Sequence, residues 1–170
     1  MKNKDCYSLI LISLTFLIFS CARPSELVVL HEVTGPVETN CYLLYDARSK
    51  EAALIDVGGP IDSLVSHIQN HSLKLKYIFT THMHMDHVEG VPQIQEQFPN
   101  ALLCHNKKEY EDFQVFRDWM GKSFPEMVAG MKESPEYRKW FEYDLSIFNE
   151  PDIYLEDNQT YKLGNLQIRT

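Results

Sequence analysis

Three histidines and one aspartate stand within six positions of this chain, in the stretch Thr81-His82-Met83-His84-Met85-Asp86-His87. Imidazole and carboxylate together suit Zn²⁺, and also Fe or Mn where geometry and supply favour them. His82, His84 and Asp86 alternate along the chain, so an extended backbone would turn all three the same way. The cluster follows Tyr77-Ile78-Phe79-Thr80, a β-branched and aromatic run that reads as a buried strand. Glu89 stands three residues after Asp86, a spacing that caps helix starts. The expected order is therefore strand, ligand-bearing loop and helix, with a metal at the strand's C-terminal end. Clefts at that end are where α/β sheets place their chemistry. A lone histidine is more often structural or on the surface. Four ligands this close, in a chain with seven histidines, point to metal.

The elements around the cluster must hold it in place. Residues 27–33, 41–45 and 52–56 read as three strands of a meander, with Gly35-Pro36 and residues 46–49 as turns. Ile61, Leu64, Val65 and Ile68 fall at helical spacing and predict an amphipathic helix. His67 and His71 lie on it four apart, a metal spacing in principle and more simply a solvated face. A strand at 75–80, a helix at about 88–97 stopped by Pro99-Asn100, and a strand at 101–104 complete a strand–helix–strand–helix–strand order with parallel neighbours. His105 follows, structural or bordering the cleft. Residues 107–150 form an insertion rich in aromatics and methionines, with Phe113, Phe116, Met120 and Phe124 at helical spacing. It reads either as two or three helices packed on the domain or as a lid over the cleft. Residues 161–168 suggest a hairpin turning at Gly164-Asn165.

The cluster resembles the signature of the metallo-β-lactamase superfamily. The upstream segments Val37-Glu38-Thr39-Asn40-Cys41-Tyr42-Leu43-Leu44 and Ala53-Leu54-Ile55-Asp56-Val57-Gly58-Gly59 agree with it, and look most like the hydroxyacylglutathione hydrolase (glyoxalase II) branch. The resemblance covers residues 27–106 well and the rest loosely. It implies an α/β fold, the αββα sandwich, and a hydrolase acting on a small-molecule thioester, ester or lactam through a metal-activated water. It also implies two zinc ions in a complete site: His82 and His84 on the first, Asp86 and His87 on the second, with Asp86 orienting the nucleophile as the catalytic residue. Asp56 would support the ligand loop by hydrogen bonds from behind. The family draws further His and Asp ligands from its C-terminal half, and no histidine follows His105 here. The expectation is an incomplete sandwich, the N-terminal portion plus the helical insertion, of low activity. The alternative is a non-catalytic surface lipoprotein that binds one metal or a protein partner.

At 170 residues the chain fits one domain with a core of its own. With 24 Asp and Glu against 16 Lys and Arg it offers no basic stripe, which argues against a nucleic-acid partner. Residues 1–20 read as a signal peptide: Lys2 and Lys4 precede an apolar run too short for an ordinary membrane span. Leu17-Ile18-Phe19-Ser20-Cys21 resembles a bacterial lipobox, although Phe19 is bulkier than the usual residue there. Cleavage would leave residues 21–170 anchored to a membrane through a lipidated Cys21 at the cell envelope; an uncleaved N-terminal anchor is the other reading. Cys41 and Cys104 lie in apolar runs, as buried thiols or, since export permits it, a disulfide.

Overall fold

The computed structural model describes residues 26–142, 145–148 and 150–170, so the expected signal peptide and Cys21 lie outside the described residues. Strands β1 (Leu27–Thr34), β2 (Thr39–Asp46) and β3 (Glu51–Ile55) form the expected antiparallel meander. Strands β4 (Lys74–Phe79), β5 (Leu102–His105) and β6 (Ile153–Tyr154) then add in parallel, giving one six-stranded sheet in the order β1-β2-β3-β4-β5-β6. A parallel neighbour needs a crossover. Helix α1 (Asp62–Asn70) supplies the first, and helices α2 (Met85–Val88) and α3 (Val91–Gln97) the second.

The two faces of the sheet are covered by different means. One carries the main core, in which Leu43, Leu54 and Ile78 meet Ile61, Leu64 and Ile68 of the α1 segment. Each such buried aliphatic side chain contributes about 1.5–3 kcal/mol relative to exposure. The other face is covered over β3, β4 and β5 by a hairpin of β7 (Thr160–Leu163) and β8 (Leu166–Arg169), with Leu163 against Ala53, Tyr77, Phe79 and Cys104. Tyr161 sets its ring edge-on to Tyr77 and Phe79 at 6.0 and 5.6 Å. Coverage on both sides explains why Ala52, Ala53 and Leu54 of β3 are consecutive and all fully buried. The hairpin turns at Gly164, whose φ of +62° suits the first turn position of a type II′ hairpin. Beyond it, Leu27, Val29 and Val33 of β1 remain 54, 50 and 53 % exposed, so this half of the second face stands uncovered by the described residues.

Cys41 and Cys104 are both free thiols, fully buried, in the two different cores. They point to opposite faces of the sheet, which rules out the disulfide. Burial pushes both thiols up, Cys104 to about 12. His105 proves structural: it is fully buried, with Nε2 2.7 Å from the carbonyl oxygen of Phe148 and Nδ1 3.1 Å from that of Asn106. His67 is less solvated than expected, since it stacks on His71 at 3.9 Å and reaches the Tyr45 hydroxyl at 3.3 Å.

Two expectations at the ligand loop are corrected. The single helix at about 88–97 is two helices, because the chain must turn at Gly90 to dock on the 57–59 segment; a Cβ there would press on the carbonyl oxygen of Gly59. Asp86 and Glu89 form no capping pair, for α2 begins after His84 with no side-chain cap and Glu89 closes its far end. The insertion forms three helices, α4 (Lys107–Ser123), α5 (Pro125–Glu133) and α6 (Pro135–Glu142). Asn106 caps the first by accepting from the Lys108 N–H at 2.8 Å, and prolines open the other two.

Candidate metal centre

The parallel pairing of β3 with β4 brings two strand ends side by side. The Asp56 N–H donates to the Phe79 carbonyl at 2.9 Å, extending the ladder by one bond. Asp56 then leaves the strand at a φ of +55°, a turn that costs a non-glycine residue about 1–2 kcal/mol. Its carboxylate repays the strain by accepting three hydrogen bonds. The backbone N–H of Thr81 donates to Oδ1 at 2.8 Å, while the Thr81 hydroxyl and His87 Nδ1 reach Oδ2 at 2.8 and 2.9 Å. One buried carboxylate therefore holds both ends of the 81–87 loop.

The strip Val57-Gly58-Gly59 runs against the loop's far side. The Val57 N–H donates to the His87 carbonyl and its carbonyl accepts from the Gly90 N–H, both at 2.8 Å. The approach is so close that a Cβ on Gly58 would overlap the carbonyl oxygen of Asp86. Glycine here is a steric requirement of the ligand loop.

Met83 and Met85 point into the core, at 1 and 4 % exposure, which turns His82 and His84 outward together. Alternation ends there. Asp86 and His87 belong to the first turn of α2, so helix geometry and not extended chain brings Asp86 to the histidines. The ring centroids of His82 and His84 lie 4.7 Å apart, and those of His82 and His87 3.9 Å. Asp86 Oδ2 accepts from the Thr39 hydroxyl at 2.9 Å and lies 3.3 Å from His87 Nε2. All four expected ligands are thus gathered, with Asp56 behind them.

Among the described residues no three His, Cys, Asp or Glu side chains are set as a ready cage for an ion. The contacts give the reason: His87 Nε2 faces Asp86 Oδ2, and His82 Nδ1 lies 3.1 Å from the Thr81 hydroxyl. In other respects the residues fit a divalent ion. A carboxylate can only accept, so Asp56 fixes the proton of neutral His87 on Nδ1 and leaves Nε2 free to ligate. His82 is held below the ordinary imidazole value by burial and by neighbouring His87 and His84, against the pull of Asp56 and Asp86. That favours the neutral ligand form. Burial also works against a charged His87, but its hydrogen bond to Asp56 and the charges of Asp56 and Asp86 outweigh it and raise it.

Thr39 and Thr81 are site residues that residue type and spacing did not single out. Thr39 lies 47 positions from its partner Asp86, and the motif segment around it was its one signal. The insertion also reaches the site. Trp140 Nε1 donates to Glu89 Oε2 at 2.6 Å, and the His84 ring lies 5.8 and 5.5 Å from those of Phe113 and Phe116. The insertion thus packs on the main core through Phe113 and also lies beside the ligand loop.

Residues 34–159 match the metallo-beta-lactamase superfamily. Over 72 residues the chain is 36 % identical to hydroxyacylglutathione hydrolase GloC of Haemophilus influenzae, covering 42 % of this chain and 34 % of that protein. A hydroxyacylglutathione hydrolase of Vibrio vulnificus is 32 % identical over 78 residues, 46 % of this chain and 30 % of that one. The chain thus spans about a third of the length of these relatives, and they bear out the resemblance to that branch. Among solved structures, a metallo-beta-lactamase family protein of Thermus thermophilus superposes with a TM-score of 0.55 at 21 % identity, over 84 % of this chain and 50 % of that one. The B3 metallo-beta-lactamase BLEG-1 gives 0.53 at 23 % identity, over 84 and 59 %. These likenesses show the same fold, and with the match across residues 34–159 the chain belongs to the metallo-beta-lactamase superfamily.

Proposed function

We propose that the chain carries the metal-binding half of a hydrolase that opens a thioester, ester or lactam of a small molecule, with an acylglutathione thioester as the first candidate. The observation that carries this reading is the grip of Asp56 on His87 Nδ1 and on Thr81, an arrangement that holds the ligand loop and aims a ligand nitrogen outward. Zinc is the ion assigned, with iron or manganese as the alternatives the same donors accept. His82 and His84 would hold a first ion, Asp86 and His87 a second. When bound, the metal supplies Lewis acidity toward the carbonyl oxygen and lowers the pKa of water.

The remaining work falls to the chain's own side chains. Asp56 keeps the His87 proton on Nδ1, Thr39 fixes the Asp86 carboxylate, and the 57–59 strip prevents the loop from retreating. Phe113 and Phe116 beside His84 exclude water from one side of the centre. Export and anchoring at the cell envelope through a lipid on Cys21 belong to the same proposal, supported by the pattern of residues 1–21.

The test is thiol release from a hydroxyacylglutathione by the zinc-loaded protein, before and after chelation. Within the 170 residues each ion has two of the proposed donors, so turnover is expected to be slow. It should vanish with chelator and in His82→Ala combined with His84→Ala. A protein that retains zinc yet releases no more thiol than that double variant supports the non-catalytic lipoprotein reading instead.

A further inference from the structure

We propose that the helical insertion makes this site selective for substrates with an apolar acyl arm of medium length. Helices α4, α5 and α6 line a cleft of about 230 Å³, open on one side, that shares His84 and Asp86 with the metal centre. Its wall is mostly apolar, built from Phe113, Phe116, Met120, Met131, Trp140 and Phe141, with Arg117 as its one cation among the described residues. It lies below the range of about 300–1,000 Å³ for pockets that enclose drug-sized ligands, and so suits one arm of a substrate and not the whole. Two methionines in the wall let it adapt to unbranched chains, since thioethers fill irregular gaps.

The wall is tied to the metal loop. Trp140 donates to Glu89, at the end of the helix that carries Asp86 and His87, so the cavity keeps its place relative to the ligands. The acyl side is the part of a thioester that fits. Resting on the function proposed above, the other side is glutathione, whose several charges and amides would lose hydration against a wall that offers them Arg117 alone beyond the two metal-centre residues. Hydrolysis adds water across the C–S bond: the acyl carbon takes the oxygen, and the thiol leaves with a proton. The carboxylic acid so formed keeps its apolar chain in the cavity, which makes simple carboxylates usable binding probes.

Two tests separate this inference from the hydrolase reading. In a Trp119→Phe background Trp140 is the sole tryptophan, and the replaced side chain is 50 % exposed and outside the cavity wall. Titration with octanoate should change Trp140 fluorescence at concentrations at least tenfold lower than acetate requires. Met120→Asp and the filling change Met131→Phe should each weaken octanoate at least tenfold. Val115→Asp, on the outer side of α4 where Val115 is 69 % exposed, should leave binding unchanged. Circular dichroism reports whether the helices persist in each variant. Equal response to octanoate and acetate, or equal loss in Val115→Asp, overturns the proposal. In the second test, octanoylglutathione should be cleaved at least tenfold faster than lactoylglutathione, and Met120→Asp should remove the preference. Cleavage without chain-length preference refutes the cavity's role and leaves the hydrolase standing, whereas octanoate binding without any cleavage does the reverse.

Discussion

Asp56 and His87, 31 positions apart in sequence, meet at 2.9 Å through Oδ2 and Nδ1, and Asp56 accepts two further bonds from Thr81. The carboxylate thus orients a ligand and closes the ligand loop at once. Asp56→Asn should separate the two roles. Asparagine tolerates the left-handed backbone at this position. Its one acceptor oxygen cannot replace both Oδ1 and Oδ2, and an amide NH2, which can donate to His87 Nδ1, no longer enforces the His87 tautomer as a carboxylate does. We expect metal affinity to fall about 10–100-fold, the usual effect of losing such a supporting group. Competition with a chromophoric chelator measures it. Asp56→Ala should in addition lower thermal stability, since it removes all three hydrogen bonds that hold the 81–87 loop, at about 0.5–1.5 kcal/mol each. Unchanged affinity in Asp56→Asn would contradict the orienting role.

The contact between Gly58 and Asp86 makes a steric prediction. Gly58→Ala places a methyl group on the Asp86 carbonyl oxygen, and the 57–59 strip or the loop must move. Overpacking of this kind costs about 1–3 kcal/mol or more. Metal affinity should fall with stability, because the displaced backbone carries a ligand. Gly121→Ala, within α4 and with nothing within 4 Å of its added Cβ, should stabilise by about 0.5–1 kcal/mol. Urea titrations of the two variants should therefore move the midpoint in opposite directions.

How far the site could be read from the sequence follows from the range of the interactions involved. His82 and His84 are set by local alternation against Met83 and Met85, and the period of two is visible in the letters. Parallel pairing of β3 and β4 followed from the helix between them. Asp86 was read as part of the same alternation and is not, because α2 is docked by the bonds of its His87 carbonyl and of the Gly90 N–H to Val57, well upstream in the chain. Thr39 and Thr81 are ordinary hydroxyls until the fold brings acceptors to them. Periodicity at Phe113, Phe116 and Met120 showed the first helix of the insertion and left the total at two or three, whereas the placement over His84 was not legible: the Trp140–Glu89 bond joins residues 51 apart.

Asp46 gives the fold a pH dependence distinct from the metal site. Fully buried at the end of β2, it accepts from the backbone N–H groups of Arg48 and Asn165 at 3.1 and 3.0 Å, which ties the β7–β8 hairpin to the sheet. Burial alone would raise this carboxyl. The bonds from Asn165, Arg48, Ser49 and Glu26 outweigh burial and hold it below the usual value. With the folded value depressed, its stabilisation is fully present above the unfolded value of about 3.9 and is lost as pH falls through the folded one. Thermal melts at descending pH should show that loss in the wild type. Asp46→Ala should be less stable near neutrality by about 1–3 kcal/mol and flatter with pH below that value. A parallel decline in both proteins would assign the acid sensitivity elsewhere.

Lipidation of Cys21 is tested apart from the fold. Expression in a bacterium supplied with labelled fatty acid should label the wild type and move it to the membrane fraction. Cys21→Ser should carry no label. Equal labelling of the two proteins removes the lipid anchor from the proposal and leaves the metal site unaffected.

Metal stoichiometry reports directly on the ligand cluster. His82 and His84 can offer two donors to one ion, and Asp86 and His87 two to another, while His105 is held between two carbonyl groups and is no candidate. An ion entering the site must also displace the contact between His87 Nε2 and Asp86 Oδ2. Two donors leave an ion's remaining positions to water, and its geometry is then poorly fixed. The purified 170-residue chain should bind at most one zinc ion, weakly, by calorimetry and by metal analysis after dialysis. His82→Ala combined with His84→Ala should abolish that binding. Asp86→Ala should reduce it and also lower the melting temperature, because the buried Thr39 hydroxyl loses its acceptor, at a cost of about 1–3 kcal/mol. Two tightly held ions per chain, both lost on changing Asp86, would mean that residues outside the 82–87 cluster complete the coordination within this chain.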